Sequence, residues 1–299
     1  MVYKKIPQTD LLVSRVCFGC MSLSNDHFAN KQLLQEALGH GINFFDTADL
    51  YQQGFNEETV GNAFKSTRHK VVLATKVGNQ LRADGSGWDW NPTKAYIMEA
   101  AEQSLKRLKT DYIDLYQLHG GTIDDPTEET IDAFETLKAQ GKIRHYGISS
   151  IRPNVIRKFV ERSSLVSVMM QYSLLDRRPE ESCLSLLHQK KIAVIARGSI
   201  AGGLLISKPP KPYLDHSAAS VTDAQHTLHE FASKFGRTPE ETAYQFVWSN
   251  PAITSIAAGI RTKDQLISVL RSENGAAMSS YEYEELSNRF KVNIYDQHR

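Results

Sequence analysis

Four polar residues stand where this chain should be turning out of apolar segments. Asp46 and Tyr51 lie in "NFFDTADLY", Lys76 ends "VVLATK", and His119 follows "LYQL". A phenol with a reference pKa of about 10 is a poor proton donor at neutral pH. A nearby ammonium stabilises the phenolate and lowers that pKa, and a carboxylate fixes the ammonium in place. On that chemistry Tyr51 is a general acid, Lys76 its tuner, Asp46 the anchor of Lys76, and His119 a hydrogen-bond donor that orients a carbonyl. No nucleophile is paired with a base, and no metal-ligand spacing accompanies the group, so no metal is expected. A carbonyl can be polarised and protonated by such a set, but the hydride has to come from a cofactor.

Each residue also has a plainer reading. Asp46 and Thr47 after a strand can cap the next helix. A lone Lys is ordinarily a solvated loop charge, a lone His a hydrogen-bonded structural residue, and a lone Tyr a rim aromatic. What decides between the readings is whether the fold brings the four together. Short β-branched or aromatic segments alternate with amphipathic ones almost from end to end. "RVCFG" (15–19), "INFFD" (42–46), "KVVLATK" (70–76), "YIDLYQLH" (112–119), "IRHYGIS" (143–149), "VSVMMQYS" (166–173), "IAVIAR" (192–197) and "ITSIAAG" (253–259) make eight strands. Between them lie helical stretches such as "NKQLLQEALGHG", "TKAYIMEAAEQSLKRLKT" and "TEETIDAFETLKAQG". Eight strands alternating with helices suit an α/β fold of the (β/α)8 TIM-barrel type, with right-handed crossovers. In such a barrel the four polar residues all leave strand C-termini, the face on which barrel enzymes build their sites.

A doubly wound open sheet would want G-x-G-x-x-G between its first strand and a helix. The near match "GHGINF" (39–44) lies after a helix and before a strand, which excludes it from cradling a phosphate. "VYKKIPQTDLLV" reads as a short N-terminal hairpin closing the barrel's bottom. "GNQLRADGSGWDWNP" after the third strand and "GSIAGGLLISKPPKPYLDHSAAS" after the seventh read as long loops on the C-terminal face, of the kind that is usually functional or disordered. No internal repeat or low-complexity linker interrupts residues 1–299, so one domain is expected.

Composition bounds the function. Hydrophobic residues make up 41% and charged residues 23%, as expected of a soluble globular protein with a full core. A net charge of +1 gives no electrostatic case for nucleic acid or an anionic membrane as a partner. "MVYKKIPQTD" has no apolar leader core and nothing downstream approaches a membrane-spanning run, so a cytoplasmic location is expected. Three cysteines argue against a disulfide framework. Cys17 and Cys20 form C-x-x-C, but inside an apolar strand-like run, where buried thiols are inert. A barrel can be complete as a monomer, and no exposed apolar stripe stands out, so a monomer or weak homo-oligomer is expected.

The chain resembles the aldo-keto reductases. The likeness runs through "FFDTADLY", "VVLATKVG", "DYIDLYQLHG", "GKIRHYGISS", "MMQYSLLDRR" and "IAAGIRTKDQL", in order and across essentially the whole length. It implies a (β/α)8 oxidoreductase that uses NADPH to reduce a small-molecule aldehyde or ketone. It also implies the Asp, Tyr, Lys, His tetrad at Asp46, Tyr51, Lys76 and His119. By the same resemblance Ser149 and Gln171 hold the nicotinamide carboxamide, and Gly19 and Met21 lie beside the nicotinamide ribose. The loop from Gly198 to Leu205, with Gly198, Ser199, Ala201 and Gly203, lies across the pyrophosphate, where small residues permit close backbone approach. Arg261, Thr262 and Gln265 open the last barrel helix and contact the 2′-phosphate and adenine.

Three departures from the family pattern stand out. Ser150 replaces an Asn that commonly follows the serine of "GISS". Arg197 stands where an aromatic residue commonly stacks on the nicotinamide; a planar guanidinium also stacks, but adds positive charge beside a ring that becomes positive on oxidation. Ser268 and Val269 replace a Glu–Asn pair near the adenine. Trp88, Trp90, Leu23, Phe28 and Tyr213 are candidates to line the substrate pocket or, equally, to pack loops. Proteins of this fold also serve as nucleotide-sensing subunits of larger assemblies with slow or incidental catalysis; the intact tetrad argues for chemistry instead.

Overall fold

The computed structural model describes residues 1–299. The chain opens with an antiparallel hairpin, β1 (Tyr3–Lys5) and β2 (Leu12–Ser14), and then enters β3 (Val16–Gly19), β4 (Phe44–Asp46) and β5 (Val72–Val77). A second hairpin follows, β6 (Asn79–Leu81) and β7 (Trp88–Trp90). Then come β8 (Ile113–Leu118), β9 (Ile143–Ser149), β10 (Ser167–Gln171), β11 (Ala193–Arg197) and β12 (Ile253–Gly259). The eight strands β3, β4, β5, β8, β9, β10, β11 and β12 pair in parallel, each with the next in sequence, and β12 closes on β3. This is a (β/α)8 barrel, and its eight strands coincide with the eight segments expected above to within a few residues at each end.

Alternation along each strand sorts its side chains. In β3, Cys17 faces into the barrel among Phe44, Ala74, Leu115 and Ile195, while Val16 and Phe18 join the larger core under the helices. Ile6, Leu11 and Val13 of the first hairpin belong to the same inner cluster, so the hairpin closes one end of the barrel with apolar side chains. Both thiols of the C-x-x-C pair are buried and free, and burial pushes them well above the ordinary thiol range.

The outer ring begins with α1 (His27–Gly39), α2 (Phe55–Phe64), α3 (Lys94–Leu108) and α4 (Thr127–Ala139). Local sequence sets their ends. Asp26 and Thr93 cap α1 and α3 through their side chains, and Gly41 and Gly141 follow α1 and α4 with φ of 91° and 71°. The ring continues with α5 (Pro153–Arg162), α6 (Cys183–Gln189), α7 (Ala218–Lys234), α8 (Pro239–Ser249) and α9 (Lys263–Asn274), and α10 (Ser280–Asn288) follows. No helix is long and apolar enough to cross a membrane.

Gly61 fixes how α2 meets α3. A Cβ at this position would lie 2.5 Å from the Arg107 carbonyl oxygen and 2.6 Å from the Leu108 carbonyl carbon. Both are backbone atoms and cannot rotate away. Gly61→Ala is therefore expected to destabilise the fold by about 1–3 kcal/mol, the usual cost of overpacking. Equilibrium urea denaturation measures it, and an unchanged midpoint would contradict the close packing.

The segment after the third barrel strand is not an irregular loop but the β6–β7 hairpin, with Asn79 opposite Trp90 and Leu81 opposite Trp88. Trp88 and Trp90 have high strand propensity, and the tip "DGSG" supplies the turn. Gly78 enters the hairpin at φ 123°, and the Trp90 ring occupies the space where a Cβ would stand.

Candidate active site

The strand ends bring the four polar residues together. Asp46 is the last residue of β4, Lys76 lies next to last in β5, and His119 follows β8 directly. Lys76 Nζ donates to Asp46 Oδ2 at 2.6 Å and to the Thr47 carbonyl at 2.7 Å, and it lies 3.5 Å from the Tyr51 hydroxyl. Gln117 of β8 donates its amide to the other Asp46 oxygen at 3.2 Å. The Tyr51 and His119 rings meet edge to face, centroids 5.9 Å apart.

The turn that carries Tyr51 is held from several sides. Thr47 N–H donates to the Ala74 carbonyl, and Asp49 N–H to the Lys76 carbonyl, which extends pairing with β5 past the end of β4. The Thr47 hydroxyl donates to Asn56 Oδ1, and Asn56 donates in turn to the Cys20 carbonyl. Gln52, Gln53 and Gly54 then take positive φ of 50°, 54° and 91° before α2 begins. Gly54, with no side-chain cap, is the residue that starts α2. The helix-cap explanation for Asp46 and Thr47 is therefore excluded: Gly54 precedes α2, Asp46 pairs with Lys76, and the Thr47 hydroxyl bonds the Asn56 side chain rather than a free backbone N–H of the helix.

Burial sets the electrostatics. The Lys76 and Asp46 side chains are 1% and 5% exposed. Burial by itself would lower the Lys76 ammonium, but Asp46 and the Tyr51 hydroxyl together outweigh it and hold Lys76 protonated above its ordinary range. His119 is pushed down to about 3, first by burial and then by Lys76 and Arg197, so its imidazole is neutral at physiological pH. Its Nδ1 is buried without a partner. An unpartnered buried lone pair costs less than an unpartnered N–H, which favours the proton on Nε2.

The Tyr51 phenol departs from expectation. Lys76 does pull its pKa down, but burial outweighs that pull and Asp46 adds to the rise, so the net direction is up. The expectation of a lowered phenol pKa counted the ammonium and omitted desolvation, which only the folded site reveals. The phenol is held as the neutral, proton-bearing form.

The four residues line a cleft of about 1040 Å³ at this end of the barrel. Of the cofactor candidates, Gly19, Met21, Ser149, Gln171, Arg197, Gly198, Ser199, Gly203, Arg261 and Gln265 also line it. Ala201 and Thr262 do not. Ala201 is buried beneath its own loop, and the Thr262 hydroxyl is spent capping α9, where it accepts from Gln265 N–H. The Gln265 side-chain oxygen accepts from Arg261 N–H. The Ser199 hydroxyl is buried with no partner. Gln171 donates to Tyr213 Oη at 3.2 Å and to Asp176 Oδ2 at 3.3 Å, which fixes its amide.

Among the aromatic and apolar candidates for the substrate pocket, Tyr213 reaches the cleft. Trp90 packs on Gly78 and Gly120 and donates its indole N–H to Asp125, Leu23 is buried, and Trp88 and Phe28 stand exposed. The cleft is also lined by Arg152, Lys208 and Glu240, which the sequence reading did not single out. Lys208 could have been found by the two prolines that stop its loop; Arg152 and Glu240 carry no local signal.

The model of the Aldo/keto reductase family matches residues 15–288 of this sequence. The chain belongs to the aldo/keto reductase family. Among curated relatives, YqkF of Bacillus subtilis, named an uncharacterized oxidoreductase, is 47% identical over 99% of both chains. The aldo-keto reductase yakc of Schizosaccharomyces pombe, which has NADP(+) in its name, is 32% identical over 67% of this chain and 62% of its own. Among solved structures, aldo-keto reductase AKR11C1 from Bacillus halodurans in its holo form superposes with a TM-score of 0.94 at 44% identity, over 100% of this chain and 99% of that one. As a family member with this fold, the protein is an oxidoreductase of the aldo-keto reductase type.

Proposed function

We propose that this aldo-keto reductase uses NADPH to reduce aldehydes or ketones to alcohols, with Tyr51 as the general acid. The observation that carries the reading is the buried Asp46–Lys76 pair beneath the Tyr51 hydroxyl, in a cleft that His119 also lines. Residues 1–299 act as one domain in this account, the first hairpin serving as the barrel's floor.

The cleft suits a polyanionic dinucleotide. Arg197, Lys208 and Arg261 line it without a carboxylate partner, and the buried Ser199 hydroxyl lacks one too. The loop from Gly198 to Gly203 takes positive φ at Gly198, Ala201, Gly202 and Gly203, and its small residues leave room for close approach of a phosphate to the backbone. In this reading Ser149 and Gln171 hold the carboxamide, Gly19 and Met21 flank the ribose, and Gly198, Ser199, Gly203 and Lys208 follow the pyrophosphate. Arg261 and Gln265 hold the adenosine end. Ala201 shapes the loop from below, and Thr262 holds α9 in place.

NADPH, when bound, supplies the hydride. Tyr51 gives its proton to the carbonyl oxygen, and Lys76 stabilises the phenolate left behind. Asp46 keeps Lys76 charged and aimed. The neutral His119 donates from Nε2 to the same oxygen without competing as an acid.

NADPH is expected to bind more tightly than NADH, with Arg261 as the main reason. The extra phosphate is a dianion, and a guanidinium engages it through paired charge-assisted hydrogen bonds at the start of α9. Arg261 is exposed, so Arg261→Ala should weaken NADPH about tenfold, the modest end for such a pair, with NADH little affected. Fluorescence titration of both cofactors against both proteins checks this. An equal loss for NADH would make Arg261 a general anchor, and no loss for either would leave the phosphate held elsewhere.

A further inference from the structure

Arg152 is a cleft cation that the dinucleotide does not account for. It stands between β9 and α5, beside the Gly120–Gly121 turn that follows His119, and its guanidinium donates to the Gly121 carbonyl. The other unpaired cations of the cleft, Arg197, Lys208 and Arg261, lie at or beyond the end of β11 and at the end of β12. Lys208 and Arg261 fall along the path assigned to the pyrophosphate and adenosine, and Arg197 stands at the nicotinamide position, close enough to bear on His119. Arg152 instead enters the cleft from the end of β9, bonded to the turn two residues past His119.

Its bonding leaves it underused. One guanidinium nitrogen is committed to Gly121, and no carboxylate lies within salt-bridge distance of the others. The acids that line the cleft are spent: Asp46 is paired with Lys76, and Glu240 accepts from the Ser268 hydroxyl near the adenosine end. A half-buried guanidinium with free N–H groups and no counterion is a preformed partner for an anion. The Gly121 carbonyl takes one N–H of the guanidinium, and Gly121 itself has a φ of 112°, a conformation that favours glycine at this turn.

We propose that Arg152 is a specificity-determining residue that selects carbonyl substrates bearing a second, anionic group, a carboxylate. The inference rests on the reductase reading above. The aldehyde is reduced at Tyr51 and His119 while the carboxylate, at the far end of the same small molecule, sits on Arg152.

The test compares 4-carboxybenzaldehyde with its methyl ester, which matches it in shape but lacks the charge. Wild type should show a higher kcat/KM for the acid, carried mainly by KM and weakened by added salt. Arg152→Gln, which can still donate to Gly121, should lower the acid-to-ester ratio by about tenfold, and Arg152→Lys should retain part of it. A wild-type enzyme that reduces the ester as well as the acid would overturn the inference alone, as would a ratio unmoved in both variants, which would leave Arg152 as a clamp on Gly121. NADPH oxidation with neither compound, nor with other reactive aldehydes, would overturn the reductase reading itself. The wild-type comparison decides the matter even where a variant folds poorly.

Discussion

Tyr51→Phe is expected to lower carbonyl reduction by about 10²–10⁴-fold while NADPH still binds. The substitution removes one oxygen and keeps the ring that meets His119 edge to face, so the cleft keeps its shape. Lys76 and Asp46 remain paired beneath it. Single-turnover oxidation of bound NADPH by 4-nitrobenzaldehyde isolates the chemical step from product release. A variant that kept more than half of the wild-type rate in that experiment would remove Tyr51 from the role of acid.

Lys76→Met should damage both activity and stability, for different reasons. Removing the ammonium leaves Asp46 as an uncompensated carboxylate in a buried site, which typically costs about 3–5 kcal/mol. It also removes the group that opposes the rise of the Tyr51 pKa by burial. Reduction uses the protonated phenol, so activity is present at lower pH and is lost as pH rises through the Tyr51 pKa. That pKa already lies above the ordinary phenol value, and in the variant it moves higher still. The alkaline limb for reduction should therefore shift to higher pH, with a lower plateau because the phenolate product is no longer stabilised. The rising limb for alcohol oxidation, which uses the phenolate, should shift the same way. Adding Asp46→Asn should restore much of the stability and none of the rate. An unmoved pH profile combined with weaker NADPH binding would make Lys76 a cofactor ligand instead.

Much of this molecule is legible in its sequence because the signals are local. Eight apolar, turn-bounded runs give the barrel strands, and polar residues at their C-terminal ends give the site, since a barrel places all such ends on one face. Asp46, Lys76 and His119 are found this way. The "VYKKIPQTDLLV" hairpin is legible for the same reason, its apolar residues alternating toward the barrel. What escapes is set by tertiary packing. The β6–β7 hairpin hides behind a Gly-rich stretch, and its identity rests on Trp90 covering Gly78 and Gly120. The upward shift of Tyr51 depends on how deeply the phenol is buried, which no spacing encodes. Thr262 looks like a ligand in the motif, yet its hydroxyl is taken by the α9 cap. Arg152 and Glu240 reach the cleft from segments more than fifty residues apart, and nothing in either segment announces it.

The central claim is that hydride passes from NADPH to a carbonyl carbon while Tyr51 supplies the proton. The most direct measurement uses NADPH dideuterated at nicotinamide C4 with unlabelled 4-nitrobenzaldehyde, under multiple turnover, and reads the alcohol by mass spectrometry. The account predicts one deuterium in every molecule of 4-nitrobenzyl alcohol formed by the wild-type protein, and almost no alcohol from Tyr51→Phe. Alcohol formed without deuterium, or NADPH bound tightly by the wild type with no alcohol formed, would contradict it.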